Sequence, residues 1–194
     1  MAPYPADSAH ADAFTASRTR MEEMLAHLSD PVLMACTQEK LKDYVTVGGR
    51  ELLRQVMQDQ LDARAVAEER RREVTGADGV VRTPAERGHR RWLATTVGRV
   101  EVSRIAYQAP KAANLHVADT VLSLPAHLYS RPSQRAVVHE AATGSLRAAA
   151  QGPERATGLR IGTRPLMEIS VWAATDINAF YTAPPDAADA SVPE

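Results

Sequence analysis

The chain has 194 residues, 44% of them hydrophobic but only 5% aromatic, and a formal net charge of −1. That length suits one domain or two small ones, with a core of Leu, Val, Ile, Met and Ala rather than rings. A single cysteine, Cys36, excludes an internal disulfide and a cysteine-based zinc site, and no stretch approaches the ~20 apolar residues of a membrane helix.

Residues 1–17 are rich in Ala, Asp, Pro and Ser and lack the basic start and apolar run of a secretory signal. They are expected to be a disordered tail on a cytoplasmic protein. Residues 18–75 read as a helical assembly region. Thr19, with Glu22 three residues on, offers a capping box for a helix to about Leu28. Asp30-Pro31 offers a second start, for a helix through Leu33, Cys36 and Leu41 to Tyr44. The β-branched run Val45-Thr46-Val47 and the pair Gly48-Gly49 are expected to break or kink it. The clearest helix follows, from Arg50 to about Val74, with Leu52, Leu53, Val56, Met57, Leu61 and Ala65 on one face. At roughly 35 Å it is too long to be buried wholly by so small a domain. Either a helix from a second chain covers it, or its charged end, EERRRE at 68–73, projects into solvent.

Residues 76–131 read as a β-hairpin and an irregular connector. Gly76-Ala77-Asp78-Gly79 marks a turn, after which the period of the pattern changes from helical to two. RRWLATT (90–96) and RVEVSRIAY (99–107) flank Val97-Gly98 as the two strands, carrying Arg90, Arg91, Arg99 and Arg104. Pro110, Pro125 and Pro132 make the connector irregular, with VLSLP (121–125) packing back on the core. Residues 132–182 read as a helix-turn-helix-like unit of three helices. Val137, Val138, Ala141 and Ala142 share a face before Gly144. Ser145 starts a second helix, which stops or kinks near Gly152-Pro153. Thr163 caps the third, with Pro165 in its first turn and Leu166, Ile169, Trp172 and Ala173 as its apolar stripe, extended by Ile177 and Phe180. Residues 183–194 are expected to be a disordered tail. The whole is an α+β fold, mainly α-helical.

Charge is unevenly spread. Residues 1–63 carry six Lys/Arg and ten Asp/Glu, residues 64–164 seventeen and nine, and residues 165–194 none and five. Sixteen of the seventeen bases in the middle are arginine, the side chain suited to phosphate and guanine. Arg147, Arg155, Arg160 and Arg164 gather around the last turn, next to Thr163. Arginines beside a helix start suit double-stranded DNA, with Arg160 and Arg164 nearest base edges and Arg147 and Arg155 on phosphates. The plainer alternative is a helical protein–protein interaction module whose basic middle is a solvated face. No catalytic pattern stands out: there is no glycine-rich phosphate loop, no Gly-x-Ser-x-Gly and no His-Glu-x-x-His. His116 and Asp119, three apart, with His127 and His139 downstream, come nearest to metal-ligand spacing. The histidines are read as structural or exposed, and Glu68, Glu69 and Glu101 as solvated. No cofactor, metal or catalytic residue is expected.

Several spaced motifs occur in one order. They are GRELLRQVMQDQLDARAVAEERRREVTGADGVVR (49–82), RRWLATTVGRVEVSRIAYQAP (90–110), LHVADTVLSLPAHLYSRPSQRAVVHEAATGSLRAA (115–149) and ATGLRIGTRPLMEISVWAATDINAFY (156–181). Together they resemble the N-terminal half of bacterial ISKra-type insertion-sequence transposases, over about residues 40–181. The resemblance implies a protein that binds the terminal repeats of a mobile element and takes part in DNA transposition and recombination. It implies as partners duplex DNA and either a second copy or the full-length transposase. The family's metal-dependent acidic triad belongs to a ribonuclease-H-like core downstream of the matched region. The chain ends at Glu194, so it is expected to be truncated and inactive alone.

Overall fold

The computed structural model describes residues 13–144 and 161–175. Helix α1 spans Thr15–Leu28, α2 Pro31–Met34 and α3 Gln38–Ala67. Asp30 caps α2 by accepting a hydrogen bond from Val32 N at 2.8 Å, with Pro31 in the first turn. The cap was legible; the length was not. The helix stops after one turn, and Thr37 caps a new one by accepting from Lys40 N.

Helix α3 then runs without a break through Val45-Thr46-Val47-Gly48-Gly49, where a break was expected, and ends at Ala67 rather than Val74. Packing overrides propensity here. Gly48 lies under α1, where an added Cβ would stand 3.6 Å from the Met24 sulfur, an ordinary contact. The antiparallel seam with α1 is fixed at both ends. Asp59 is buried and accepts from Ser17 N at 2.9 Å and Ser17 Oγ at 2.5 Å, and His27 stacks on Tyr44 with ring centres 4.8 Å apart. Ser17 is therefore docked in helix and not part of a loose tail, and α1 starts at Thr15 without the Thr19 capping box. EERRRE lies outside the helix: Glu68 has extended backbone, and its Oε2 accepts from Ile105 N at 2.8 Å. Glu68 is thus tied to the sheet, not solvated.

Strands β1 (Val74–Thr75) and β2 (Val81–Arg82) pair antiparallel across the expected turn. Its Asp78 carboxylate holds the buried Arg82 at 2.6 Å, which draws the Asp78 carboxyl down to about 2. Strands β3 (Ala85–Thr95) and β4 (Gly98–Tyr107) form the main antiparallel hairpin. At its tip Gly98 has φ 131°, a region that favours glycine, and a Cβ there would come within 3.1 Å of Arg54 Cδ. Alternation along the strands turns Leu93, Val100 and Val102 inward, onto Met57 and Leu61 of α3 and onto Leu122 and Leu124. Of residues 121–125, Leu122 and Leu124 pack back as expected, while Val121 is exposed. The connector also contains α4, Val117–Val121.

Segment 128–130 continues the sheet on the free edge of β3: Ala94 N donates to Leu128 O and Ser130 N to Ala94 O, each at 2.8 Å. Ser130 then caps α5, Arg131–Thr143. Helix α6, Thr163–Ala173, packs on α5 in a second core of Val137, Ile161, Leu166 and Ile169. The expected stripe holds for Leu166 and Ile169. Trp172 is 54% exposed and makes an edge-type ring contact with His127, and Ala173 is exposed, so the stripe narrows towards the end of the helix. The helix expected between α5 and α6 lies outside the described residues, as do Ile177, Phe180 and residues 183–194. The described chain is thus a mixed helix-and-strand fold, and of the three helices expected over 132–182 the described residues contain two, α5 and α6. No helix among the described residues is long and apolar enough to cross a membrane.

Candidate nucleic-acid interface

The hairpin sorts its four arginines by parity. Side chains one residue apart on a strand face opposite ways. Arg91 shares its face with Leu93, and Arg104 with Val100 and Val102, so both turn inward. Arg90 shares its face with Trp92, and across the pair with Arg99 and Glu101.

The inward pair belongs to the fold. Arg104 is 10% exposed, and its Nη1 donates to both oxygens of Asp119, at 2.5 Å to Oδ1. Arg91 donates to Pro125 O at 3.0 Å and His127 O at 2.7 Å, and its Nη1 lies 3.8 Å from Asp119. One carboxylate on α4 thus faces two inward arginines and ties the connector to the sheet. His116 completes the cluster, its ring 5.8 Å from that of His89. Burial, and after it the Arg104 charge, hold His116 below the ordinary histidine range against the opposing pull of Asp119. This is a packed electrostatic cluster. Among the described residues no group of three or more His, Cys, Asp or Glu side chains could hold a metal ion.

The outward pair is available. Arg90 is 68% exposed in its side chain and pairs with Glu101 at 3.2 Å. The Arg99 guanidinium lies over the Trp92 ring, 5.4 Å from its centre, and Trp92 is 49% exposed. A tryptophan half in water on the outer sheet face, with a cation stacked on it and another beside it, offers a ring and two phosphate-seeking groups together. Glu101, read from sequence as solvated, moderates this face through its pair with Arg90.

The start of α6 is open as well. The N-cap residue is Gly162, which has no side chain to cap with, and Thr163 is the first helical residue, not the cap. Gly162, Thr163 and Arg164 are all exposed. Arg164 is 91% exposed in its side chain and makes an i,i+4 pair with Glu168 at 3.1 Å. Pro165 sits in the first turn, where its missing N–H costs nothing. The first turn of α6 thus has no side-chain cap from Gly162 and lies beside an exposed cation, an arrangement that attracts anions. Arg147, Arg155 and Arg160 lie outside the described residues.

Of the nine side chains picked from sequence, the described structure presents Arg90, Arg99, Thr163 and Arg164 to solvent and draws Arg91 and Arg104 into the fold. Trp92 was passed over, although its parity with Arg90 and Arg99 was legible. Comparison with family models, with curated proteins and with solved structures finds no match to the chain.

Proposed function

We propose that this chain is the DNA-binding and assembly portion of an insertion-sequence transposase, without catalysis of its own. What supports the reading is the open start of α6: exposed Thr163 and Arg164 on an uncapped first turn, with that helix anchored through Ile169 and Leu166 in the second core. A helix held firmly from behind and bare at its start suits entry into a major groove. Arg90 and Arg99 add phosphate contacts from the outer face of the hairpin. Segment 128–130 hydrogen-bonds to Ala94, linking hairpin and helices through backbone, so the two basic elements have a common scaffold.

The experiment is a salt titration of binding to the element's terminal-repeat duplex. Each phosphate neutralised contributes about one unit to the slope of log affinity against log salt. Arg164→Ala, Arg90→Ala and Arg99→Ala should each flatten that slope by about one unit, while Arg91→Ala leaves it unchanged. Binding that ignores salt, or no binding at the lowest salt, favours the second reading, a protein–protein interaction module. One observation speaks for that reading: α1 and α3 leave several large apolar side chains half exposed.

A further inference from the structure

Helices α1 and α3 meet along one seam, marked by Ser17–Asp59, Met24–Gly48 and His27–Tyr44. Helix α3 gives a second side, through Met57 and Leu61, to the sheet. A third side is left over. Counting 100° per residue from the seam, Leu41, Val45, Leu52 and Val56 of α3 fall on the side away from the hairpin. Met21 and Leu25 of α1 fall on that same side. Met21 is 43% exposed, Leu25 50%, Leu41 39%, Val45 42% and Val56 40%.

We infer that this face is the interface of a two-fold homodimer in which α3 packs antiparallel on α3 of a second copy. Two observations favour a second copy as the occupant. First, Val45, Gly49, Leu52 and Val56 follow 4-3-4 spacing, the seam of a helix that packs along another helix. Gly49 lies in the middle of that seam, and a Cβ on it would meet nothing within 4 Å. Nothing among the described residues needs a glycine there, although a mid-helix glycine costs ~1 kcal/mol relative to alanine; a helix crossing closely at that point does need one. Second, with Leu53 at the margin, the half-exposed side chains leave on the order of 500 Å² of apolar surface per copy, much of the ~800 Å² per partner of a standard interface.

The inference rests on the assembly half of the proposed function and needs no DNA. Its test is sedimentation equilibrium of the full chain without DNA, from micromolar to hundred-micromolar concentration. The mass should rise twofold, from monomer to dimer, over that range. The double substitution Val45→Glu with Val56→Glu should hold the chain at monomer mass at every concentration. Gly49→Gln should do the same while keeping helical circular dichroism at least as strong as in the parent, because glutamine is the better helix former and its site is open. Monomer mass throughout for the parent chain, or dimers that survive Gly49→Gln, would overturn the interface. The terminal-repeat salt titration on the same samples separates the two proposals. A monomer that binds DNA removes only the dimer; a dimer that ignores DNA removes only the DNA reading.

Discussion

Asp119 faces two arginines with a single carboxylate. Arg104 is almost wholly buried against it, so removing the acid leaves a guanidinium in the core without a counter-charge. Loss of one partner of such a pair costs several kcal/mol, more than the pair contributes relative to an apolar replacement. Asp119→Ala should therefore lower unfolding free energy by about 3 kcal/mol, read as a fall in the urea midpoint with an unchanged denaturant slope. His116 sits in the same cluster with its pKa depressed, chiefly by burial. The folded state prefers the neutral ring, so the unfolded state binds more protons between the depressed and the ordinary histidine value. Stability is then full above the ordinary value and falls as pH drops through that window. His116→Gln should flatten the acid-side loss between pH 7 and the depressed folded value, in urea titrations run in parallel with the parent chain. A slope identical to the parent's would remove His116 from the account.

At the scale of elements, α3 is the test of propensity against packing. Its glycine pair reads locally as a break, and the seam with α1 makes it a helix. Gly48→Ala should raise stability by up to ~1 kcal/mol, because the added methyl meets only ordinary contact with Met24 and helix propensity improves. A lower thermal midpoint would mean that the backbone there is not helical. The hairpin's turn and second strand were readable to within a residue, because their two-residue period is set by which side chains face α3, whereas the first strand begins at Ala85, five residues before the expected start. The caps at Asp30 and the turn at Gly76–Gly79 were readable because they depend on neighbours in sequence. The short reach of α2 was not, since Thr37 competes for the next cap and no pattern of apolar spacing reports that. Nor was the docking of Ser17, which depends on Asp59 forty-two residues away. The roles of the hairpin arginines were half legible: parity separates Arg90 and Arg99 from Arg91 and Arg104, whereas the acid that holds the inward pair comes from a connector with no pattern of its own.

At the scale of the whole molecule, the described residues form two cores joined by a strand-like bridge. One lies between α3, the hairpin and residues 122–124, the other between α5 and α6. Both put basic groups outside: Arg90 and Arg99 on the first, Arg164 on the second. The molecule's net charge of −1 is compatible with DNA binding because the acids concentrate towards the two ends of the chain and the bases in the middle. Affinity built this way is largely counterion release and should be steeply dependent on salt. The measurement that tests this most directly compares the parent chain with the triple variant Arg90→Ala, Arg99→Ala, Arg164→Ala on terminal-repeat duplex DNA, by fluorescence anisotropy across a salt series. The account predicts a steep inverse dependence for the parent chain and a slope smaller by about three units for the variant, with both equally resistant to urea. Equal slopes, or no binding by the parent chain at the lowest salt, would contradict it.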